Sequence, residues 1–216
     1  MAVTGTYTVR DIVNDAMRKA GVVAVDEDAT AEEADIAMRC LNRMLKAWQT
    51  YRFNLWTKTS MSVSATTAAS YTLNPVRPMR ILSIRWKNTA ALETTMQQMT
   101  RDEYDTLPNK VSTGTPTTWM YDRQREAAKL YVWPVPASVT TETLEITYER
   151  EIEDAALSDV VDVPGEWWEA VVYGLASRVA EDFEKSVPKI DARATDALML
   201  ALADDREESV FFAGPY

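Results

Sequence analysis

The chain has 216 residues, 46% hydrophobic and 26% charged, with a formal charge of −10, one cysteine and no histidine. That balance fits a globular chain long enough to bury a real core, as one large domain or two small ones. It excludes Ser-His and Cys-His nucleophiles, histidine bases and intrachain disulfides, and no apolar run nears the ~18 residues a membrane helix needs.

The N-terminus, MAVTGTYTVRDIV, has no basic stretch followed by an apolar one, so no secretory leader is expected and folding is expected in the cytosol. Thr8 is placed to cap a helix from Val9 to about Ala20, with Ile12, Val13, Ala16 and Met17 inward and Gly21 at its end. An acidic connector, Val22 to Ala29, leads to Thr30 and Glu33, a Thr-x-x-Glu capping box in which the two side chains satisfy first-turn N–H groups. Ala34, Met38, Leu41, Leu45 and Trp48 then recur at three- and four-residue steps, and Ala37 and Met44 widen the stripe. Two antiparallel helices with a short loop follow. Cys40, inside the second, reads as a small buried hydrophobe.

After Trp56 the pattern changes. Thr59 to Ala69 is rich in Ser and Thr, with Met61 and Val63 alternating, which predicts a strand or hairpin edge, and Tyr71 and Leu73 precede an Asn74-Pro75 turn. In Arg80 to Lys87, Leu82, Ile84 and Trp86 share one face, the period of two of a half-buried strand. Thr100 caps a short helix over Asp102 to Leu107, followed by a turn at Gly114-Thr115-Pro116. Thr117 to Tyr121, Lys129 to Trp133 and Thr143 to Glu149 predict three further strands. The middle of the chain is therefore expected to be an antiparallel unit of roughly five to six strands.

Helix returns at Pro164, a favoured first-turn residue, with Trp168, Val171, Val172, Leu175, Val179 and Phe183 as its stripe. Trp167 and Trp168 lie about 100° apart on such a helix, so burying both requires two surfaces: a neighbouring helix and a subunit, or core packing alone. Ser186-Val187-Pro188 breaks the chain, and a last helix runs from Ile190 to about Glu208 with Ala194, Ala197, Leu198, Ala201 and Leu202 inward. Asp191, Asp196, Asp204, Asp205, Glu207 and Glu208 are expected to form its outer face, facing solvent or a channel. The predicted fold class is thus α+β: a helical bundle built from N- and C-terminal helix pairs, residues 1–58 and 156–216, with a β-rich antiparallel insertion, 59–155.

Charge is uneven. Residues 1–58 carry eight basic and eight acidic side chains, whereas 156–216 carry five basic and thirteen acidic. No basic cluster offers to neutralise phosphates, so sequence-specific DNA binding is not expected. Carboxylate pairs such as Asp102 with Asp105, or Glu149 with Glu151, sit on one element and do not face each other across a cleft, as glycoside hydrolysis requires. The chain has no EF-hand loop, HExxH helix, Walker loop or GxGxxG turn, so no enzyme activity, cofactor or metal is expected. The last residues, Phe211-Phe212-Ala213-Gly214-Pro215-Tyr216, carry three aromatics in six positions, which are costly in water unless covered by their own chain or by a partner.

Taken together, TVRDIVNDAMRKAGVV, TAEEADIAMRCLNRMLKAWQTYRFNLWT, LYVWPVP and VPGEWWEAVVYGLASRVAEDF resemble, in order and spacing, the head-to-tail adaptors of tailed bacteriophages, in particular the tail-accessory or packaged-DNA-stabilisation type. The resemblance implies a structural virion protein of the neck or connector, without catalysis, cofactor or membrane. It further implies a homo-oligomeric ring, usually of twelve copies, beneath the portal protein. That ring lengthens the DNA channel, lets packaged DNA pass without sequence-specific binding and offers a platform to a downstream tail or nozzle protein. Portal docking would fall to Phe211, Phe212, Pro215 and Tyr216. The alternative is another neck or tail-completion protein without direct portal contact.

Overall fold

The computed structural model describes residues 7–50, 55–73, 77–125 and 127–205. Contacts divide the α+β chain into two compact units, one drawn from Met1–Trp56 and Ile152–Tyr216, the other Thr57–Glu151.

The helical unit contains α1 (Val9–Lys19) and α2 (Ala31–Trp48), each started by a capping box. The Thr8 N–H donates to the Asp11 carboxylate at 2.9 Å while the Asp11 N–H donates back to the Thr8 hydroxyl. Thr30 and Glu33 repeat the exchange, with the Thr30 N–H 2.8 Å from the carboxylate. Gly21, at φ +70°, ends α1 in the left-handed region that favours glycine. Replacing Thr30 with alanine is expected to lower stability by about 1 kcal/mol in urea titrations.

These exchanges hold both carboxyls below their ordinary range, Asp11 chiefly through the Thr8 hydroxyl and Glu33 chiefly through the Thr30 N–H. Because the folded-state values are lowered, the stabilisation is complete above the unfolded carboxylate value of about 4 and is lost as pH falls through the folded one. Glu33→Gln keeps the acceptor but not the titration. It is expected to flatten the acid limb of a melting-temperature profile, and an unchanged limb contradicts the assignment.

After α2 and the returning chain, a 3₁₀ turn (Gly165–Trp167) leads into the next helix of this unit, Trp168–Asp182, and then Pro188–Asp204. Ile12, Met17, Leu41, Met44, Leu45, Trp167 and Leu175 are fully buried in one core. The chain re-enters the unit along the second helix. Asn42 donates to the Ala155 carbonyl at 3.1 Å and accepts from its N–H at 2.8 Å, and Lys46 and Gln49 both donate to the Ile152 carbonyl. Further on, the Val9 N–H, unpaired within its own helix, donates to the Asp159 carbonyl at 2.8 Å. Asn42→Ala leaves the partly buried Ala155 backbone without these partners. It is expected to cost about 1–3 kcal/mol, read as a shift of the urea midpoint at unchanged slope.

The second unit is a seven-stranded sheet: β1 (Lys58–Ser64), β2 (Ser70–Leu73), β3 (Arg80–Lys87), β4 (Glu93–Gln98), β5 (Thr118–Asp122), β6 (Ala128–Trp133) and β7 (Thr143–Glu149), in the order β1-β7-β3-β4-β5-β6-β2. β1 and β2 follow each other in the chain yet occupy opposite edges. Laid flat at about 4.8 Å per strand, those edges stand about 29 Å apart, while the link from Ser64 to Ser70 spans about 21 Å at most. The sheet must therefore curl. Its inner face gathers Ile84, Trp86, Met96, Trp119, Leu130, Leu144 and Ile146 into one core, and the Trp119 indole N–H donates to the Met96 carbonyl.

Several sequence expectations change here, among them Leu82, expected to face inward with Ile84 and Trp86 but exposed because the register shifts between Ile81 and Ser83 and buries Ile81 instead. β4, ETTMQQ, shows no apolar alternation because Met96 is its one buried residue, and it was not foreseen. The unit is also not wholly antiparallel: β4 and β5 pair in parallel. A parallel pair needs a long crossover, supplied here by residues 99–117 with α3 (Arg101–Asp105) inside them. α3 covers the sheet's other face, where Tyr104 packs on Tyr131 with ring centroids 5.0 Å apart. β1, expected to reach Ala69, ends at Ser64. Glu149 and Glu151 serve ion pairs, to Arg80 and Arg77.

Candidate functional site

The features least explained by core packing lie on the last two helices, α4 (Trp168–Asp182) and α5 (Pro188–Asp204). Pro188 opens α5 in its first turn, where a missing N–H costs nothing. The Ser177 hydroxyl of α4 donates to the Asp191 carboxylate at 2.7 Å, and Arg193 meets Glu169 at 2.9 Å. The Tyr173 ring lies between Arg193 on one helix and Lys19 of α1 on another, at 5.7 and 4.6 Å. α5 thus rests on α4 through an incomplete apolar seam: Ala201 is buried, while Ala194, Ala197, Leu198 and Leu202 are half-buried.

Along that seam runs an open cleft of about 470 Å³. Trp48, Gly174, Ala194, Leu198, Met199 and Leu202 supply its apolar lining, and Ser177, Arg178, Glu181, Asp191 and Thr195 its polar lining. Gly174 is required for the close approach of α2: a Cβ there would stand 3.0 Å from the Met44 sulfur and 3.2 Å from the Trp48 ring. Among the described residues Arg178 makes no ion pair. Met199 and Leu200 are 65% and 72% exposed beside the seam. This surface went unread in the sequence, although Leu198-Met199-Leu200 held a signal: three consecutive apolar residues at about 100° steps cannot all face inward.

The acidic residues are spread rather than gathered. Asp191, Asp196 and Asp204 are exposed but stand on different sides of α5, about 140° and then 80° apart in sequence order. Asp191 faces Ser177, Asp204 borders a hollow shared with Glu166 and Glu169, and Asp196 lies on the outermost face with Ala192, Met199 and Ala203. Asp205 is half-buried at the C-terminal cap. Glu207, Glu208, Phe211, Phe212, Pro215 and Tyr216 lie outside the described residues.

Trp167 is buried by the chain itself, whereas Trp168 is half-buried. Trp167 packs against Trp48 and Trp56, with centroids 5.7 and 4.9 Å away, and Trp168 against Tyr7 at 5.2 Å. Cys40 is buried as expected but also polar in its contacts: its thiol donates to Asp182 at 2.9 Å and accepts from Arg43. Burial and then Asp182 push the thiol pKa up, so it stays protonated rather than becoming a nucleophile. The Tyr7 phenol, donating to Asp15, is likewise raised, first by burial and then by that bond. Among the described residues no group of three or more His, Cys, Asp or Glu could hold a metal, and no helix is long and apolar enough to cross a membrane.

The family model for the SU10 adaptor protein matches residues 7–210. No curated protein matches in sequence. Among solved structures, chains in the neck of an empty gene transfer agent particle with C6 symmetry and in the virion of the native particle are similar at TM-score 0.33 and 14% identity, over 99% of this chain and 97% of each. A chain in the native neck with C12 symmetry gives 0.32 and 14%, over 100% and 97%.

Proposed function

The chain belongs to the SU10 adaptor protein family, and from that membership we propose that it is a structural head-to-tail adaptor of a tailed phage, built into the virion neck. The observation that carries the reading is the family match, which spans nearly the whole chain and so takes in both units. In this reading, copies form a ring beneath the portal protein, of about twelve by the resemblance stated above, that extends the DNA channel and presents a platform to the next tail component. The helical unit acts as a scaffold of two helix pairs. A closed ring requires two different complementary surfaces on each copy, and α5, with Met199 and Leu200 outward, supplies one candidate.

The excess of acidic residues in 156–216 suits a wall that DNA passes without sticking, its candidates being those of Asp191, Asp196, Asp204, Asp205, Glu207 and Glu208 that the ring turns toward the channel, since they do not share one side of α5. Phe211, Phe212, Pro215 and Tyr216 are the candidate portal-docking residues. The protein has no catalytic cycle in this account.

The test is to mix the purified chain with assembled portal from the same phage and image the product. An added ring on the portal is expected. A chain that ignores the portal, yet is found in particle necks by cross-linking, would belong to the neck without portal contact.

A further inference from the structure

We propose that the outer face of α5 in one copy packs lengthwise on the outer face of α2 in the next, with the two helices parallel. At about 100° per residue, Lys189, Ala192, Asp196, Met199, Leu200 and Ala203 fall in one stripe of α5 about 100° wide, and all six are exposed. Glu32, Asp35, Ile36, Arg39, Arg43 and Lys46 share a stripe of about the same width on α2, where Ile36 and Lys46 are half-buried and the rest exposed. Each stripe is about 21 Å long at 1.5 Å per residue.

Charge fixes how the stripes meet. Along α5 the cation comes first, at Lys189, and the acids follow at Asp196 and Asp204. Along α2 the order is reversed, with Glu32 and Asp35 before Arg39, Arg43 and Lys46. Parallel helices with Asp196 opposite Arg39 therefore set Lys189 opposite Glu32 and Asp204 beside Lys46. Turning one helix round about the same pair sets Lys189 against Lys46 and Asp204 beside Glu32, like against like. Among the described residues Glu32, Lys189, Asp196 and Asp204 make no ion pair, whereas Arg39 holds Asp35 at 2.8 Å and Lys46 holds Asp154 at 3.1 Å. Apolar surface fits the same register. The exposed Met199 and Leu200 come opposite Asn42 and Arg43, which with Ile36, Arg39 and Asp182 line a hollow of about 440 Å³. Filling that hollow removes both side chains from water.

The fold already holds the two helices in the required direction. Trp48, at the end of α2, packs on Trp167, just before α4, while Cys40 reaches Asp182 at the far end of α4, so α2 and α4 run antiparallel. After residues 183–187, α5 returns antiparallel to α4, with Arg193 meeting Glu169. Within one copy α2 and α5 are therefore parallel. The step of a ring of about twelve is a turn of about 30°, which tilts no helix by more than that angle, so α2 of the next copy stays roughly parallel to α5. The contact joins two different faces of one chain, as a closed ring requires, and it leaves each copy a free α2 or α5 face to continue the series. It rests on the adaptor reading for the number of copies alone. In this packing Asp196 faces a neighbour rather than the channel.

A charge swap tests the contact without portal. Asp196→Arg brings like charges together, and so does Arg39→Asp, yet in an equimolar mixture every contact between unlike copies is matched again. Sedimentation of the concentrated full chain is expected to show self-association of the wild type, at least tenfold weaker in either variant alone and restored in the mixture. Both positions are exposed, and circular dichroism checks that each variant folds. Variants that associate as the wild type does, a mixture no better than its parts, or a wild type that stays monomeric overturn the proposal. Failure of the adaptor reading looks different: the swap behaves as expected while no ring is added to the portal.

Discussion

Trp167→Ala is expected to destabilise the protein by about 3–5 kcal/mol, the range for removing a fully buried large aromatic. The indole is 1% exposed and is held between Trp48 from the end of α2 and Trp56 from the segment leaving the helical unit. Alanine leaves a cavity bordered by two large rings that cannot both collapse into it. The indole N–H has no hydrogen-bond partner among the described residues, so phenylalanine strands no acceptor. Trp167→Phe is therefore expected to cost much less, about 1.5 kcal/mol or under. Urea titrations followed by far-ultraviolet circular dichroism separate the two, and an alanine variant as stable as the phenylalanine one would contradict the packing account.

The second large effect concerns assembly. If the aromatic tail anchors the chain to the portal, Phe211→Ser/Phe212→Ser is expected to weaken capture by immobilised portal about a hundredfold or more. Aromatic anchors at interfaces commonly carry ~2 kcal/mol or more each. The thermal melt is expected to change little, because the core residues named above all precede Asp205. Capture at wild-type strength would move the portal contact to another surface.

Helix positions were legible because their determinants are local. Thr8 and Thr30 act on N–H groups three residues away, and the stripes of α1, α2 and α4 repeat within a few turns. The same clarity failed at α5, whose carboxylates, at about 100° per residue, spread around the helix rather than sharing one outer face. It failed at β4 as well, because a strand with one buried residue carries no period of two.

By itself, the order of residues determined where most helices and strands begin, that the middle of the chain is β-rich, that charge concentrates in the last third, and which family the whole resembles. Only the tertiary structure decided that β1 and β2 stand at opposite edges of a curled sheet, that β4 and β5 run parallel, and that α4 and α5 leave a cleft floored by Trp48. The reason is range. Caps and amphipathic stripes are settled between residues within a few turns of one another, whereas strand order and the cleft join residues such as Lys58 with Glu149, or Trp48 with Leu198, whose proximity no local pattern encodes.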